Sequence, residues 1–131
     1  MDSYLYKEEI IDHYKNPQNF GKPGNFDISA KQLNPFCGDE IEVFITFHKN
    51  IIQSIYFSGF GCALSIAGAS LLTEHVKGMN KNDLTKFSKE DMLKLLGIDI
   101  SETRKKCALL GWAVLQDCLG QNAKSKALNS K

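Results

Sequence analysis

Cys37 and Asp39 stand one glycine apart in the run Asn34-Pro35-Phe36-Cys37-Gly38-Asp39. In extended backbone, residues i and i+2 project to the same side, so a thiolate and a carboxylate there can face one centre. Gly38 leaves backbone room beside them. A second thiol, Cys62, follows Gly59-Phe60-Gly61 where a strand pattern gives way to a helical one. At a helix start the macrodipole and the free N–H groups favour a thiolate. Cys107 falls near the start of the last predicted helix, behind Arg104-Lys105-Lys106, whose positive charges lower a thiol pKa as well. All three thiols are therefore expected at element ends, partly exposed and ionisable. Three thiolates and one carboxylate make four donors, the number a tetrahedral zinc or iron site takes. Thiolate sulfur suits zinc and iron–sulfur clusters, and a site built to retain a cluster uses four cysteines. Three cysteines with an exchangeable oxygen read as a site built to release one.

The fourth cysteine does not fit this group. Cys118 lies eleven residues beyond Cys107, which on a straight helix is ~16 Å at ~1.5 Å per residue, against a metal–sulfur bond of ~2.3 Å. It reads as a small buried hydrophobe. His13, His48 and His75 are scattered and read as surface or locally hydrogen-bonded residues.

The elements that must position these groups can be traced along the chain. Residues 3–15 carry Leu5, Ile10, Ile11 and Tyr14 at roughly helical spacing, and Asn16-Pro17 ends the pattern. Residues 19–25 read as loop. Three strands are predicted: Phe26–Leu33 by the weakest pattern, then 40–48, then 51–58. In the second, Ile41, Val43, Ile45 and Phe47 alternate with Glu42, Thr46 and His48. Lys49-Asn50 between the last two predicts a hairpin, because asparagine tolerates positive φ. Ala63–Lys77 reads as a helix closed by Gly78. Ser88 and Asp91 form a capping-box pattern for a short helix ending at Gly97. Glu102–Leu119 reads as the last helix, with Leu109, Trp112, Ala113 and Leu115 among its apolar positions, and 121–131 as a loose polar tail. Strands first and helices afterwards predict an α+β domain, with a small three-stranded antiparallel sheet carrying its helices on one face.

The chain has 131 residues, room for one domain and one core, and is read as a single domain over 1–131. With a net charge of +1 it lacks the basic balance of a nucleic-acid binder. No apolar run approaches the ~18 residues of a membrane span. The acidic start, Met1-Asp2-Ser3, is not the basic n-region of a signal peptide. The expectation is a cytoplasmic protein without membrane or nucleic-acid partners, whose thiols stay reduced.

Five segments carry a resemblance to the IscU/NifU-type iron–sulfur scaffold family. Asn34–Asp39 resembles its Asn-Pro-x-Cys-Gly-Asp element, and Gly59–Cys62 its second cysteine loop. Ile11–Pro17 is similar to the end of the N-terminal helix in NifU-like members, and Glu74–Gly78 to the end of the helix after the second cysteine. Cys107 falls where the third family cysteine is expected. The resemblance implies a SufE/NifU-like fold and a carrier rather than an enzyme with turnover of its own. Such a carrier accepts sulfur from a cysteine desulfurase, binds iron, and assembles a transient [2Fe–2S] cluster. It then passes the cluster to acceptor apo-proteins, with a homo-oligomer a further option for the loaded form. It implies Cys37, Cys62 and Cys107 as cluster ligands and sulfur acceptors, with Asp39 as the fourth ligand, favouring cluster release. Zinc is the alternative occupant of the same four residues.

Around the third cysteine the sequence departs from the IscU branch. Lys106 stands where that branch has histidine, and Ser101-Glu102-Thr103-Arg104-Lys105 replaces its chaperone-read Leu-Pro-Pro-Val-Lys element. Arg104–Trp112 is closer to the SufU branch, whose members are zinc-dependent sulfur acceptors, although the SufU-type insertion between the second and third cysteines is absent. On that alternative the protein is a zinc-dependent sulfurtransferase with Cys107 as the candidate persulfide acceptor.

Overall fold

The computed structural model describes the backbone of residues 2–35 and 38–121 and the side chains of 8–35 and 38–120. Cys37, and all of the expected loose tail except the backbone of Gln121, lie outside the described residues.

Helix α1 (Asp2–Lys15) is followed by a loop and then by strands β1 (Ile28–Asn34), β2 (Asp39–His48) and β3 (Ile51–Phe60). These form one antiparallel sheet in the order β1-β2-β3. Four helices follow among the described residues: α2 (Ala63–Val76), α3 (Lys81–Lys86), α4 (Lys89–Leu96) and α5 (Glu102–Gln116), the last running into a wide turn over Asp117–Gln121. The expected α+β architecture is present. The first strand begins two residues later than the pattern predicts. The last helix ends at Gln116 instead of Leu119. Helix α3 is an addition: its six residues are too short for a periodic signal, and it is started by Asn80, whose side chain accepts the Asp83 N–H.

Alternation in β2 works as expected, with Ile41, Val43 and Ile45 buried against the helices. The Lys49-Asn50 link turns with φ of 54° and 67° at its two residues, the left-handed pair that a two-residue hairpin needs. A register shift at Thr46/Phe47 pairs Phe47 with Ile52 and skips Gln53, so that Ile52 and Ile55 both point inward. Phe44 points the other way and is still buried. The loop after α1 crosses that outer face and lays Phe26 edge-on to Phe44, with ring centroids 5.1 Å apart.

Helix α2 is buried nearly all round, from Leu64 to Thr73, as a helix apolar on every side must be. It packs between α1, α5 and the sheet. The approach of α5 is close because Gly111 has no side chain: a Cβ there would lie 3.3 Å from both Cα and Cβ of Ala69. On the other flank, Ser70 Oγ accepts the Gln18 N–H and pairs with His13 Nδ1, both at 2.7 Å, while His13 Nε2 faces Glu74 at 3.9 Å. Trp112 and Gln116 of α5 donate to the carbonyl oxygens of Phe87 and Leu84 and tie down the α3–α4 segment. Helix α4 opens with the expected Ser88/Asp91 capping box and stops at Gly97. Cys118 is buried in the core, as expected. Together these contacts bring three chain segments to one end of the sheet: the β1–β2 link, the start of α2, and the first turns of α5.

Candidate metal centre

At that end, the β1–β2 register pairs Asn34 with Asp39. Asp39 lies on the same face of β2 as Ile41, so its carboxylate points toward the helices and is 1% exposed. Cys62 is the N-cap of α2 and its side chain caps nothing. The carboxylate does that work instead: Asp39 Oδ1 accepts the Cys62 N–H at 3.0 Å. The other oxygen, Oδ2, accepts the Ser65 hydroxyl and lies 3.7 Å from Cys62 Sγ. Ser65 Oγ is also 3.7 Å from Cys62 Sγ and 3.3 Å from the Cys107 carbonyl oxygen. Cys107 Sγ accepts from the Asn34 side-chain amide at 3.8 Å. One donor atom each from Asp39, Cys62 and Cys107 lies within 4.8 Å of the others.

The local cause of this convergence is a helix cap made by a distant residue. In α4 the capping box is local: Ser88 accepts the Asp91 N–H, and the Asp91 carboxylate accepts the Ser88 N–H. In α2 the N-cap is a cysteine and the third helical residue is Ser65, so neither supplies the acceptor that an N-cap N–H needs. Asp39 reaches across from β2 to supply it. Gly61 makes the approach possible. Its φ is +153°, and a Cβ there would stand 2.5 Å from Asp39 Oδ1 and 2.7 Å from Asp39 Cγ. Any other residue would push the carboxylate out of the site.

The sequence-predicted residues fare differently. Asp39, Cys62 and Cys107 come together, whereas Cys118 and the three histidines stand apart from this group. Cys37 lies outside the described residues, although the link that carries it is pinned at its ends by a Gly38 N–H to Asn34 carbonyl bond of 2.8 Å. Cys62 is half-buried at the helix start, as expected. Cys107 corrects the expectation of a part-exposed thiol at an element end. It is the sixth residue of α5 and 1% exposed, beyond the first turn over which a helix dipole acts. An amide of Asn34 touches its sulfur instead. In the sequence Asn34 reads only as the start of the first cysteine element, without a role at the site, and Ser65 does not stand out at all. The signal for Ser65 was a helix start with no capping carboxylate within it, which requires an acceptor from elsewhere.

The donor set suits zinc or iron. Tetrahedral zinc with ~2.3 Å bonds to sulfur holds its thiolates roughly 3.8 Å apart, and the described donors need close by only about 1 Å to reach that. Two soft thiols beside one hard carboxylate suit zinc or an iron–sulfur cluster better than calcium or magnesium, which take oxygen ligands. Leu33 and Phe60 are 62% and 58% exposed and flank Glu40, with which both are in register, on the face of the sheet opposite to that of Asp39.

Comparison with known proteins points to the same chemistry. The model of the NifU-like N-terminal domain matches residues 5–128. The zinc-dependent sulfurtransferase SufU of Bacillus subtilis is 34% identical over 129 aligned residues, which cover 86% of this chain and 87% of that protein. The iron–sulfur cluster assembly scaffold protein IscU 1 of Archaeoglobus fulgidus is 36% identical over 93 residues, covering 71% of this chain and 61% of that protein. Among solved structures, a SufU of Fervidobacterium islandicum, described as an iron–sulfur cluster assembly scaffold for the SUF system, superposes with a TM-score of 0.77 at 25% identity. The match covers 91% of this chain and 99% of that one.

Proposed function

The chain belongs to the NifU-like N-terminal domain family, and we propose that it is an iron–sulfur assembly scaffold. On this reading it takes sulfur from a cysteine desulfurase, binds iron, builds a labile [2Fe–2S] cluster on Cys37, Cys62, Cys107 and Asp39, and transfers it to apo-proteins. The observation that carries the reading is the convergence of Asp39, Cys62 and Cys107 within 4.8 Å, at an end of the sheet that also carries the Cys37 link. One hard oxygen among soft sulfurs supports release over retention, because a carboxylate exchanges more readily at iron than a fourth thiolate would.

Sulfur arrives as a persulfide. An acceptor thiolate attacks its outer sulfur, a new S–S bond forms, and the donor cysteine leaves as thiolate. Cys107 is the proposed acceptor. Because Cys62 is more open than Cys107, variants of each are compared in the test.

A second reading has a specific observation behind it. The similarity to the Bacillus subtilis zinc-dependent sulfurtransferase extends over 86% of this chain, and Lys106 precedes the third cysteine. Asp39, Cys37, Cys62 and Cys107 would then hold a zinc ion, whose Lewis acidity keeps bound thiols deprotonated at neutral pH.

Anaerobic incubation with ferrous iron, cysteine and a desulfurase separates the two. The scaffold reading expects [2Fe–2S] absorption bands that weaken in Cys37→Ser, Cys62→Ser and Cys107→Ser and survive in Cys118→Ser. Absence of a cluster, with firmly held zinc and a persulfide on one cysteine, selects the sulfurtransferase.

A further inference from the structure

Ser65 is 1% exposed, and its hydroxyl lies against a group from each of the three described donor residues. It donates to Asp39 Oδ2, lies 3.7 Å from Cys62 Sγ, and has the Cys107 carbonyl oxygen at 3.3 Å. Those three residues come from β2, from the cap of α2 and from α5. The hydroxyl has one proton, and the Asp39 oxygen is the closest acceptor. That oxygen is also the one nearest Cys62 Sγ, 3.7 Å away, whereas Oδ1 is committed to the Cys62 N–H. The serine therefore bonds the carboxylate oxygen that faces the thiols and holds it where a metal would need it.

We propose that Ser65 is a positioning residue for metal binding: its hydroxyl aims Asp39 Oδ2 at the centre shared with Cys62 and Cys107. The inference rests on the metal-binding reading given above and adds to it a residue that acts only through Asp39. A carboxylate held by one N–H can still turn about the bond that this N–H leaves free. The second bond, from Ser65, removes that rotation, and less order is then lost when a metal binds. When the metal draws on Oδ2, the serine proton retains an alternative acceptor in the Cys107 carbonyl, so no buried donor is stranded.

The test uses the full chain loaded with zinc, and follows release to a chromophoric chelator. Ser65→Ala removes one oxygen and favours the helix, so its metal-free melting point is expected near that of the wild type. Its zinc is expected to leave about 10-fold faster, the scale of lost outer-shell support. Ser65→Thr and Ser65→Val form a second pair of matched size, with and without the hydroxyl; threonine is expected to retain zinc better than valine by a similar factor. In an Asp39→Asn background, adding Ser65→Ala is expected to change release less than about twofold, because independent effects add and shared ones do not. Cobalt(II) in place of zinc gives a spectroscopic check, since the d–d bands of Ser65→Ala should move toward those of Asp39→Asn.

Wild-type release rates in Ser65→Ala with an unchanged cobalt spectrum overturn the proposal and leave the metal reading standing. So does a 10-fold effect that persists undiminished in the Asp39→Asn background. A wild-type chain that takes up neither zinc nor cobalt overturns the metal reading and this inference with it.

Discussion

Replacing Asp39 with alanine removes a metal-facing oxygen and the cap of α2 in one step, so the variant should be less stable even without metal. Two donors lose their acceptor. The Cys62 N–H, now 3.0 Å from Oδ1, has no substitute in view at the start of α2. The Ser65 hydroxyl can turn to the Cys107 carbonyl at 3.3 Å, so its loss is partial. A buried donor left without a partner costs roughly 1–3 kcal/mol, which gives about 2 kcal/mol for Asp39→Ala. For a chain of this size, at roughly 3–4 °C per kcal/mol, the melting point should fall about 6–8 °C. Asp39→Asn keeps an oxygen for the Cys62 N–H and should lose less than half of that. The assay is thermal melting by circular dichroism of reduced protein, with a chelator present throughout. An Asp39→Ala melting point within about 2 °C of the wild type would refute the cap assignment and the cost worked from it. The result also governs how cluster experiments are read. On the scaffold reading Asp39→Ala should make a bound cluster more persistent, and that comparison is valid only well below the melting point of the variant.

Three further outcomes are expected. Gly61→Ala sets a Cβ 2.5 Å from Asp39 Oδ1 in a backbone conformation that side chains rarely adopt, so it should lower stability by about 1–3 kcal/mol and reduce zinc uptake. Gly24→Ala, with open space around it, serves as the control, and both are read by denaturant melts and metal analysis. Cys118→Ser replaces a buried thiol that reaches the Val43 carbonyl at 3.9 Å and should cost about 1 kcal/mol through lost apolar burial, while metal content stays that of the wild type by elemental analysis. The Ser88 N–H bonded to the carboxylate of Asp91 holds its pKa below the usual 3.8 against the opposing effect of desolvation, helped by the Ser88 hydroxyl and nearby Lys94. The contribution of this bond is therefore complete above 3.8 and is lost as the pH falls through the lower folded value. The stability gap between wild type and Asp91→Asn, from denaturant melts at several pH values, should be widest near neutrality and close in acid.

How much of this was legible in the chain itself depends on the range over which each feature is determined. Local patterns carried most of the elements. The alternation of Ile41, Val43 and Ile45, the Lys49-Asn50 turn, the Ser88/Asp91 box and the helix after Cys62 that stops before Gly78 are set by neighbours within a few residues, and the structure contains each of them. The donor residues were legible too, because cysteine beside glycine and aspartate is a chemical statement before it is a structural one. Three things belonged to the tertiary structure. Helix α3 was too short to show a period. Cys107 is buried in the second turn of α5, since the packing of that helix on α2 and the sheet sets its exposure, whereas its place in the sequence sets only its distance from the helix start. The role of Ser65, and the second role of Asp39 as a cap, depend on residues 26 and 23 positions apart meeting. A cap within one helix repeats at fixed spacing and can be read from a sequence. A cap supplied from another strand has no such spacing, because sheet register and helix packing alone bring its two halves together.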